Sequence, residues 1–308
     1  MNIINLSAQP MGKLYSWLSS DLQAEKFVFL PDACPGKSPL PTGTAVVTSQ
    51  PDWRRFAISD CGCGMRLLKS ELHKSDVNQT RWDNLASSLR KNKGGLGDLG
   101  GGNHFLDALY KRPDRPVYFL IHTGSRDESG HVDSLVDDPN KFDIEFKKVF
   151  QWAYDNRQRI QDLIESVFNK VELVLDLAHN SYEINNDESV IIRKGSIKLY
   201  PGELCIIPSH MTGDALLAKA TEKVREILFS MSHGTGRSMS RGECKSIADN
   251  YDFSQTQKQI LLPTGFNYAS LRTEGPFAYR ELDKCLMLID DYIEEVCRFE
   301  VIAYMGHL

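Results

Sequence analysis

Apolar residues recur along this chain at two periods, and the switches between them mark out its elements. From Phe142, the positions Phe146, Val149, Phe150, Ala153, Ile160, Leu163, Ile164 and Val167 fall on one face at helical spacing, which predicts a long amphipathic helix to about Asn169. Directly after it Val171, Leu173, Leu175 and Leu177 alternate with Glu172, Val174 and Asp176, a strand pattern that delivers His179-Asn180 to its end. Phe27 to Asp32 reads as a short buried strand stopped by Pro31, bringing Asp32 and Cys34 to a loop, and Thr44 to Val47 reads as another strand. Val117 to Ile121 is a buried strand that runs into a glycine turn, so His122 and Arg126 stand at its carboxyl end. Arg81 to Lys93 is polar and helix-compatible. Glu203 to Gly213 is a strand running into a loop that carries His210, residues 214 to 230 read as helix by propensity, Phe277 to Glu295 opens a further helix, and Phe299 to Tyr304 is a last strand. There is no internal repeat, low-complexity segment or clear linker, so the pattern predicts one α+β domain over residues 1–308.

Composition narrows the class. No apolar run approaches the roughly 20 residues needed to span a bilayer, and Met1 to Pro10 lacks the basic-then-apolar order of a signal peptide, which predicts a cytoplasmic protein without a membrane partner. A formal charge of −5 argues against a general nucleic-acid coat and makes any RNA contact a focal one. The seven cysteines follow no disulfide spacing; Cys205, Cys244, Cys285 and Cys297 lie in apolar contexts and read as structural, while Cys61 and Cys63 are too close for the paired thiols of a zinc ribbon.

The chemistry concentrates at glycine turns. Asp60 and Cys63 share one such turn, and a carboxylate with a soft sulfur at this spacing suits a transition metal. Between Gly94 and Gly102 there are six glycines in nine residues, too many for helix or regular strand; they read as backbone wrapped round a ligand, with Asn103, His104 and Asp107 directed inward. Together with His122 and His179, these residues supply about the ligand number of a two-metal site. The stretch Ser232-His233-Gly234-Thr235-Gly236-Arg237, continuing to Arg241, sets a histidine in glycines beside guanidinium forks suited to phosphate. Arg126, Arg193 and Lys194 flank similar turns, so the residues alone predict a metal-assisted phosphotransfer centre; His210 reads as structural.

In chain order, Asp60-x-x-Cys63-Gly64-Met65, Leu99-Gly-x-Gly-Asn103-His104-Phe105, His122-x-Gly-Ser-Arg126, His179-Asn180, Arg193-Lys194-Gly195 and His233-Gly-x-Gly-Arg237-x-Met-Ser-Arg241 resemble the motifs of the RtcB family of RNA ligases. The resemblance spans roughly residues 27 to 308 and implies mixed sheets with surrounding helices around a dinuclear metal site. It implies an enzyme that joins RNA 2′,3′-cyclic-phosphate or 3′-phosphate ends to 5′-hydroxyl ends with GTP and two Mn²⁺. By motif, Asp60, Cys63, His104, His122 and His179 would hold the metals, Cys63 bridging them, and His233 would accept GMP. Asn103, Asp107, Asn180, Gly234 and Tyr279 would lie near the nucleotide, and Arg126, Arg237 and Arg241 on RNA phosphates. The implied partner is RNA with broken ends, of the tRNA or rRNA class, with room for a helper protein.

Several positions depart from the family pattern: Asp107 replaces Glu, Cys34 replaces the His of Pro-Asp-x-His, Pro208-Ser209-His210-Met211-Thr212 replaces Pro-Gly-Ser-Met-Gly, and Met305-Gly306 replaces a near-terminal Lys-Gly expected beside guanine. The chain is shorter than typical members, with only about 40 residues between Cys63 and His104. These departures keep two other readings in view. One is a dinuclear metal-dependent phosphodiesterase or phosphatase that acts on RNA ends without nucleotide transfer; the other is a non-catalytic RNA-end binder.

Overall fold

The computed structural model describes residues 2–36, 39–111, 116–125, 128–306 and 308. It is an α+β structure with three sheets. The largest is antiparallel throughout, in the order β11 (Leu204–Pro208), β12 (Asp214–Ala220), β14 (Ile293–Met305), β5 (Phe105–Tyr110), β6 (Val117–Thr123), β4 (Gly64–Lys69), β7 (Glu172–Ala178). A second runs β1 (Asn2–Asn5), β2 (Lys26–Cys34), β3 (Thr42–Thr48), β9 (Val190–Lys194), β8 (Asn180–Ile184), and β10 (Ser196–Lys198) pairs with β13 (Ser230–Ser232). The helices are α1 (Met11–Tyr15), α2 (Gln79–Lys91), α3 (Ser129–Asp133), α4 (Pro139–Phe168), α5 (Arg241–Ala248), α6 (Ser254–Gln259) and α7 (Leu282–Leu286). None of them is long and apolar enough to cross a membrane.

The predicted long helix is α4, begun by Pro139 after an Asp138 side chain that accepts the Lys141 N–H, and ended at Asn169 in a positive-φ conformation. Its apolar face packs with α2 on the large sheet: Trp82, Leu85, Ile160 and Ile164 meet Leu68, Phe119 and Ile121. Strand alternation then decides what the opposite face carries. In β6, Phe119 and Ile121 point to the helices, which sends His122 the other way; in β5, Leu106 and Ala108 do the same for Asp107. A further core joins the two large sheets, Val28 and Ala45 of β2 and β3 meeting Ile207, Leu216 and Ala218 of β11 and β12. The site forms at the ends of the strands that border this junction.

Three local expectations are corrected. The helix predicted over residues 214 to 230 is strand β12, a 3-10 turn at Glu222–Ile227 and strand β13. β12 lies between β11 and β14 with Ala215 and Leu217 buried on one face and Leu216 and Ala218 on the other, so burial on both faces removes the alternation that would have marked a strand. The helix predicted from Phe277 is limited to a 3-10 turn at Pro276–Ala278 and to α7, and the chain is already in β14 by Ile293. Pro31 does not end β2, which runs on to Cys34; the ladder with β3 is interrupted between Phe29 and Cys34, where a residue without an N–H costs no bond.

Candidate active site

The turn before β4 has an unusual backbone, with φ of 71° at Ser59, 53° at Asp60 and 73° at Gly62. Two consecutive non-glycine residues in that region are costly unless their surroundings enforce it. Here nearly every polar group of the turn has a fixed partner. Lys194 Nζ donates to Ile58 O at 3.2 Å and also to Ser59 O, and the Ser59 and Asp60 N–H groups reach Asp133 and Ser129. Asn180 Nδ2 donates to Asp60 O at 2.9 Å, and Arg157, buried in α4, donates to Gly62 O at 2.9 Å and Thr123 O at 3.2 Å. Arg157 is balanced by Asp176, which also pairs with Arg66.

β4 pairs with both β6 and β7, Gly64 lying opposite Thr123 and Ala178, so Cys63, His122 and His179 come together at one sheet end. Their donor atoms form one group within 4.8 Å of each other, and Asp60, Cys63 and His104 form a second, with Cys63 common to both. Cys63 Sγ is 3.5 Å from Nε2 of His104 and of His122, and His104 Nε2 is 3.4 Å from Asp60 Oδ2. All five residues predicted as metal ligands are therefore brought together.

The donor set fits two transition-metal ions sharing a thiolate. Burial holds the imidazoles of His122 and His179 well below the usual histidine range, so both are neutral and carry a lone pair. His179 Nδ1 is buried without a hydrogen-bond partner. Burial works against ionising Asp60, but hydrogen bonding and charge from His104, with Lys194 behind, hold it below the ordinary range. Burial and Asp60 push the Cys63 thiol well up, so its thiolate requires a cation to replace the lost solvation.

His233 stands beside this cluster, its ring 4.3 Å from that of His179 and 6.0 Å from that of His122, centroid to centroid. Two acceptors converge on its Nδ1, Asp32 Oδ2 at 2.7 Å and Gly195 O at 2.8 Å. An imidazole nitrogen facing two acceptors carries the proton, which leaves the lone pair on Nε2. Asp32 is fully buried and its other oxygen accepts from Ser232 Oγ at 3.0 Å. Gly236, at φ 68°, allows the close approach, since a Cβ there would stand 2.6 Å from Asp32 Cα.

A cavity of about 500 Å³ opens over the ligand cluster and His233. Asn103, Asp107, Asn180, Gly234, Tyr279, Arg237 and Arg241 all line it; Arg126 lies outside the described residues. Arg237 is tied by Nη1 to Glu274 at 2.9 Å and by Nη2 to Thr273 O at 2.6 Å, while the half-exposed Arg241 has Nε 3.4 Å from the same Glu274. Asn180 is held at both ends, its Oδ1 accepting from Gly195 N at 2.8 Å. Arg193, expected beside a phosphate, is buried away from the cavity against Glu183, Ser230 and Leu228 O. Burial pushes the Asp107 carboxyl well above the usual range, and its Oδ1 has no partner.

Residues 144–306, more than half of the chain, match the family model described as tRNA-splicing ligase RtcB. The chain belongs to the RtcB family. It is 28% identical to RNA-splicing ligase RtcB2 of Escherichia coli, over 86% of this chain and 83% of that protein. It is 25% identical to the tRNA-splicing ligase RtcB of Nanoarchaeum equitans over 70% of this chain and 26% identical to that of Thermococcus kodakarensis over 64%. The chain spans 61% and 56% of the length of those two archaeal relatives.

Within this RtcB chain two residues went unassigned in the sequence. Asp32 was visible as an acid after a buried strand, but its contact with His233 crosses 201 positions. Glu274, buried and receiving Arg237, Arg241 and the Tyr279 hydroxyl, had no local signal at all. Met305, which stands where the family pattern has lysine, is fully buried among Trp82 and the helices, and Tyr304 takes the cavity side instead.

Proposed function

We propose that this protein is an RNA ligase of the RtcB type, joining RNA 3′-phosphate or 2′,3′-cyclic-phosphate ends to 5′-hydroxyl ends, in RNA splicing or repair in the cytoplasm. The observation that carries the reading is His233 itself: Nδ1 clamped between Asp32 and Gly195 O, with Nε2 left nucleophilic beside the ligand cluster. Two Mn²⁺ would be held by Asp60, Cys63 and His104 and by Cys63, His122 and His179, and when bound they neutralise charge developing on phosphate oxygens.

His233 Nε2 attacks the α-phosphorus of GTP; a P–N bond forms, the bond to the β-phosphate oxygen breaks, and pyrophosphate leaves. Throughout, the Nδ1 proton remains between Asp32 and Gly195 O, so the buried carboxylate offsets the positive charge that builds on the ring. GMP then passes to the RNA 3′-phosphate, after water has opened a cyclic end, and the 5′-hydroxyl displaces it to form the phosphodiester. Arg241, half-exposed at the cavity, is the guanidinium freest to meet an RNA phosphate among those described. The RNA substrates, of the tRNA or rRNA class, and any helper protein belong to this reading.

A second reading, a metal-dependent phosphodiesterase or phosphatase on RNA ends, is favoured by one observation: the side chain at 305 lies in the core and brings no cation to the nucleotide cavity. Incubation with α-labelled GTP or ATP and Mn²⁺ separates the two. The ligase reading expects an acid-labile covalent label that His233→Ala abolishes. No label, with cyclic ends opened but never joined, establishes the hydrolase.

A further inference from the structure

Asp32 meets His233 at a place where its own ladder gives it little support. The pairing of β2 with β3 is interrupted between Phe29 and Cys34, and Asp32 lies inside that gap. What holds the segment comes from far along the chain. Arg280 donates through Nη1 to Pro31 O and through Nη2 to Ala33 O at 2.9 Å, across 249 and 247 positions. These carbonyls belong to the residues immediately before and after Asp32, so one planar guanidinium brackets the backbone of the acid. Two glycines make room for close packing on it: a Cβ at Gly43 would stand 2.6 Å from Asp32 Oδ1, and one at Gly236 would stand 2.6 Å from Asp32 Cα.

Arg280 is at the same time fixed to the segment that follows His233. Its N–H donates to Gly236 O at 3.0 Å, Ser238 N–H donates to Ala278 O at 2.9 Å, and Arg237 and Tyr279 between them form an antiparallel bridge. The backbone of residues 278–280 is thus paired with that of 236–238, and the side chain of Arg280 crosses from there to residues 31–33. One residue joins the strand end that carries the acid to the loop that carries the imidazole, where Asp32 Oδ2 lies 2.7 Å from Nδ1. Neither Arg280 nor Asp32 belongs to the cavity wall, so the arginine touches nothing that enters the cavity and acts from behind His233.

We propose that Arg280 is a positioning residue for nucleotide transfer: by bracketing Pro31 and Ala33 it holds the Asp32 carboxylate against Nδ1 of His233. This rests on the reading of His233 as the nucleotide acceptor. Without the fork, Asp32 keeps its charge but not its place, and a carboxylate displaced from Nδ1 no longer offsets the charge that builds on the ring. Lysine replaces the fork only in part, because one ammonium on a flexible stem does not reproduce two fixed donors aimed at two carbonyls.

The test is single-turnover transfer of label from α-labelled GTP to His233 with Mn²⁺, timed over a range of nucleotide concentrations. It compares the wild type, Arg280→Met, Arg280→Lys, Asp32→Asn and the double variant Arg280→Met/Asp32→Asn. Arg280→Met should lower the saturated rate roughly tenfold while half-saturation stays within about twofold of the wild type, and Arg280→Lys should fall between the two. In the double variant the rate should match that of Asp32→Asn within about twofold, because the arginine acts through the acid already removed. By proton NMR, the Nδ1–H resonance of His233 should move in Arg280→Met toward its position in Asp32→Asn. A wild-type rate in Arg280→Met, or losses that multiply in the double variant, overturns the proposal. If Arg280→Met does not fold, Arg280→Lys alone and combined with Asp32→Asn decides it in the same way. Failure of the ligase reading looks different: the wild type takes no label, and the Nδ1–H resonance then shows by itself whether removing the fork displaces Asp32, an unmoved resonance overturning the positioning role as well.

Discussion

Replacing Asp32 by asparagine tests the proposed role of His233 as a nucleophile. The side chain keeps its shape and an oxygen, but loses the charge that faces the imidazole at 2.7 Å from a fully buried position. Two effects must be separated. Gly195 O, at 2.8 Å from Nδ1, still accepts the proton, so the tautomer is retained and the large loss that follows a reversed tautomer is not expected. What disappears is a charge-assisted hydrogen bond that strengthens as the ring becomes cationic, worth about 1.5–3 kcal/mol. That range corresponds to a fall of roughly 10- to 150-fold in the rate of adduct formation. The assay is a single-turnover time course of labelled nucleotide reaching His233 at saturating Mn²⁺, with bound Mn²⁺ and melting temperature measured beside it. A rate within twofold of the wild type, or a loss as complete as that of His233→Ala, would refute the assigned role of Asp32.

Three further substitutions probe other parts of the site. Cys63 belongs to both ligand groups, so Cys63→Ala should lower Mn²⁺ bound at both positions, read by elemental analysis after dialysis; a variant that still binds two ions as tightly as the wild type excludes the shared thiolate. Arg157→Met removes the cation that ties Gly62 O and Thr123 O to Asp176, and although Arg66 still pairs with Asp176, unfolding by denaturant should show a loss of about 3 kcal/mol, with weaker Mn²⁺ binding from a residue that touches no metal. Asp107→Asn should remove one pH dependence. The unfolded carboxyl loses its proton near pH 4, while burial keeps the folded one protonated to higher pH, so the folded state binds more protons and wild-type stability falls as pH rises above about 4. The melting-temperature advantage of the asparagine variant should therefore grow as pH rises above about 4, and a constant difference would count against a neutral buried Asp107.

The sequence disclosed what is local. α4 and β7 each bury one face, so their periods survive in the residue pattern, whereas β12 buries both and reads as helix. The five candidate ligands and His233 drew attention because a glycine or asparagine lies within two residues of each, and the structure brings them together around one cavity. The roles of the arginines were not, because a charge is visible in a sequence and its partner is not. Arg193 is engaged by Glu183 and Arg237 by Glu274, so the positive ring that the turns suggested is largely neutralised within the protein.

The family motif at Met305 failed for a geometrical reason. Along β14, Cys297, Phe299 and Val301 face the cavity-side core, and simple alternation would send Met305 there too. The register with β5 shifts between Val301 and Ala303, and beyond that irregularity Ala303 and Met305 face the helices while Tyr304 faces the cavity. One displaced residue thus exchanges the faces of everything after it. The methionine at the position where the resemblance expects a lysine becomes a core residue, and its neighbour Tyr304 becomes the wall. In the proposed nucleotide reading, selectivity comes from groups that do line the cavity, Tyr304 and Asp107 among them, so changes at those positions should alter the preference between GTP and ATP while Met305→Leu leaves it as it is.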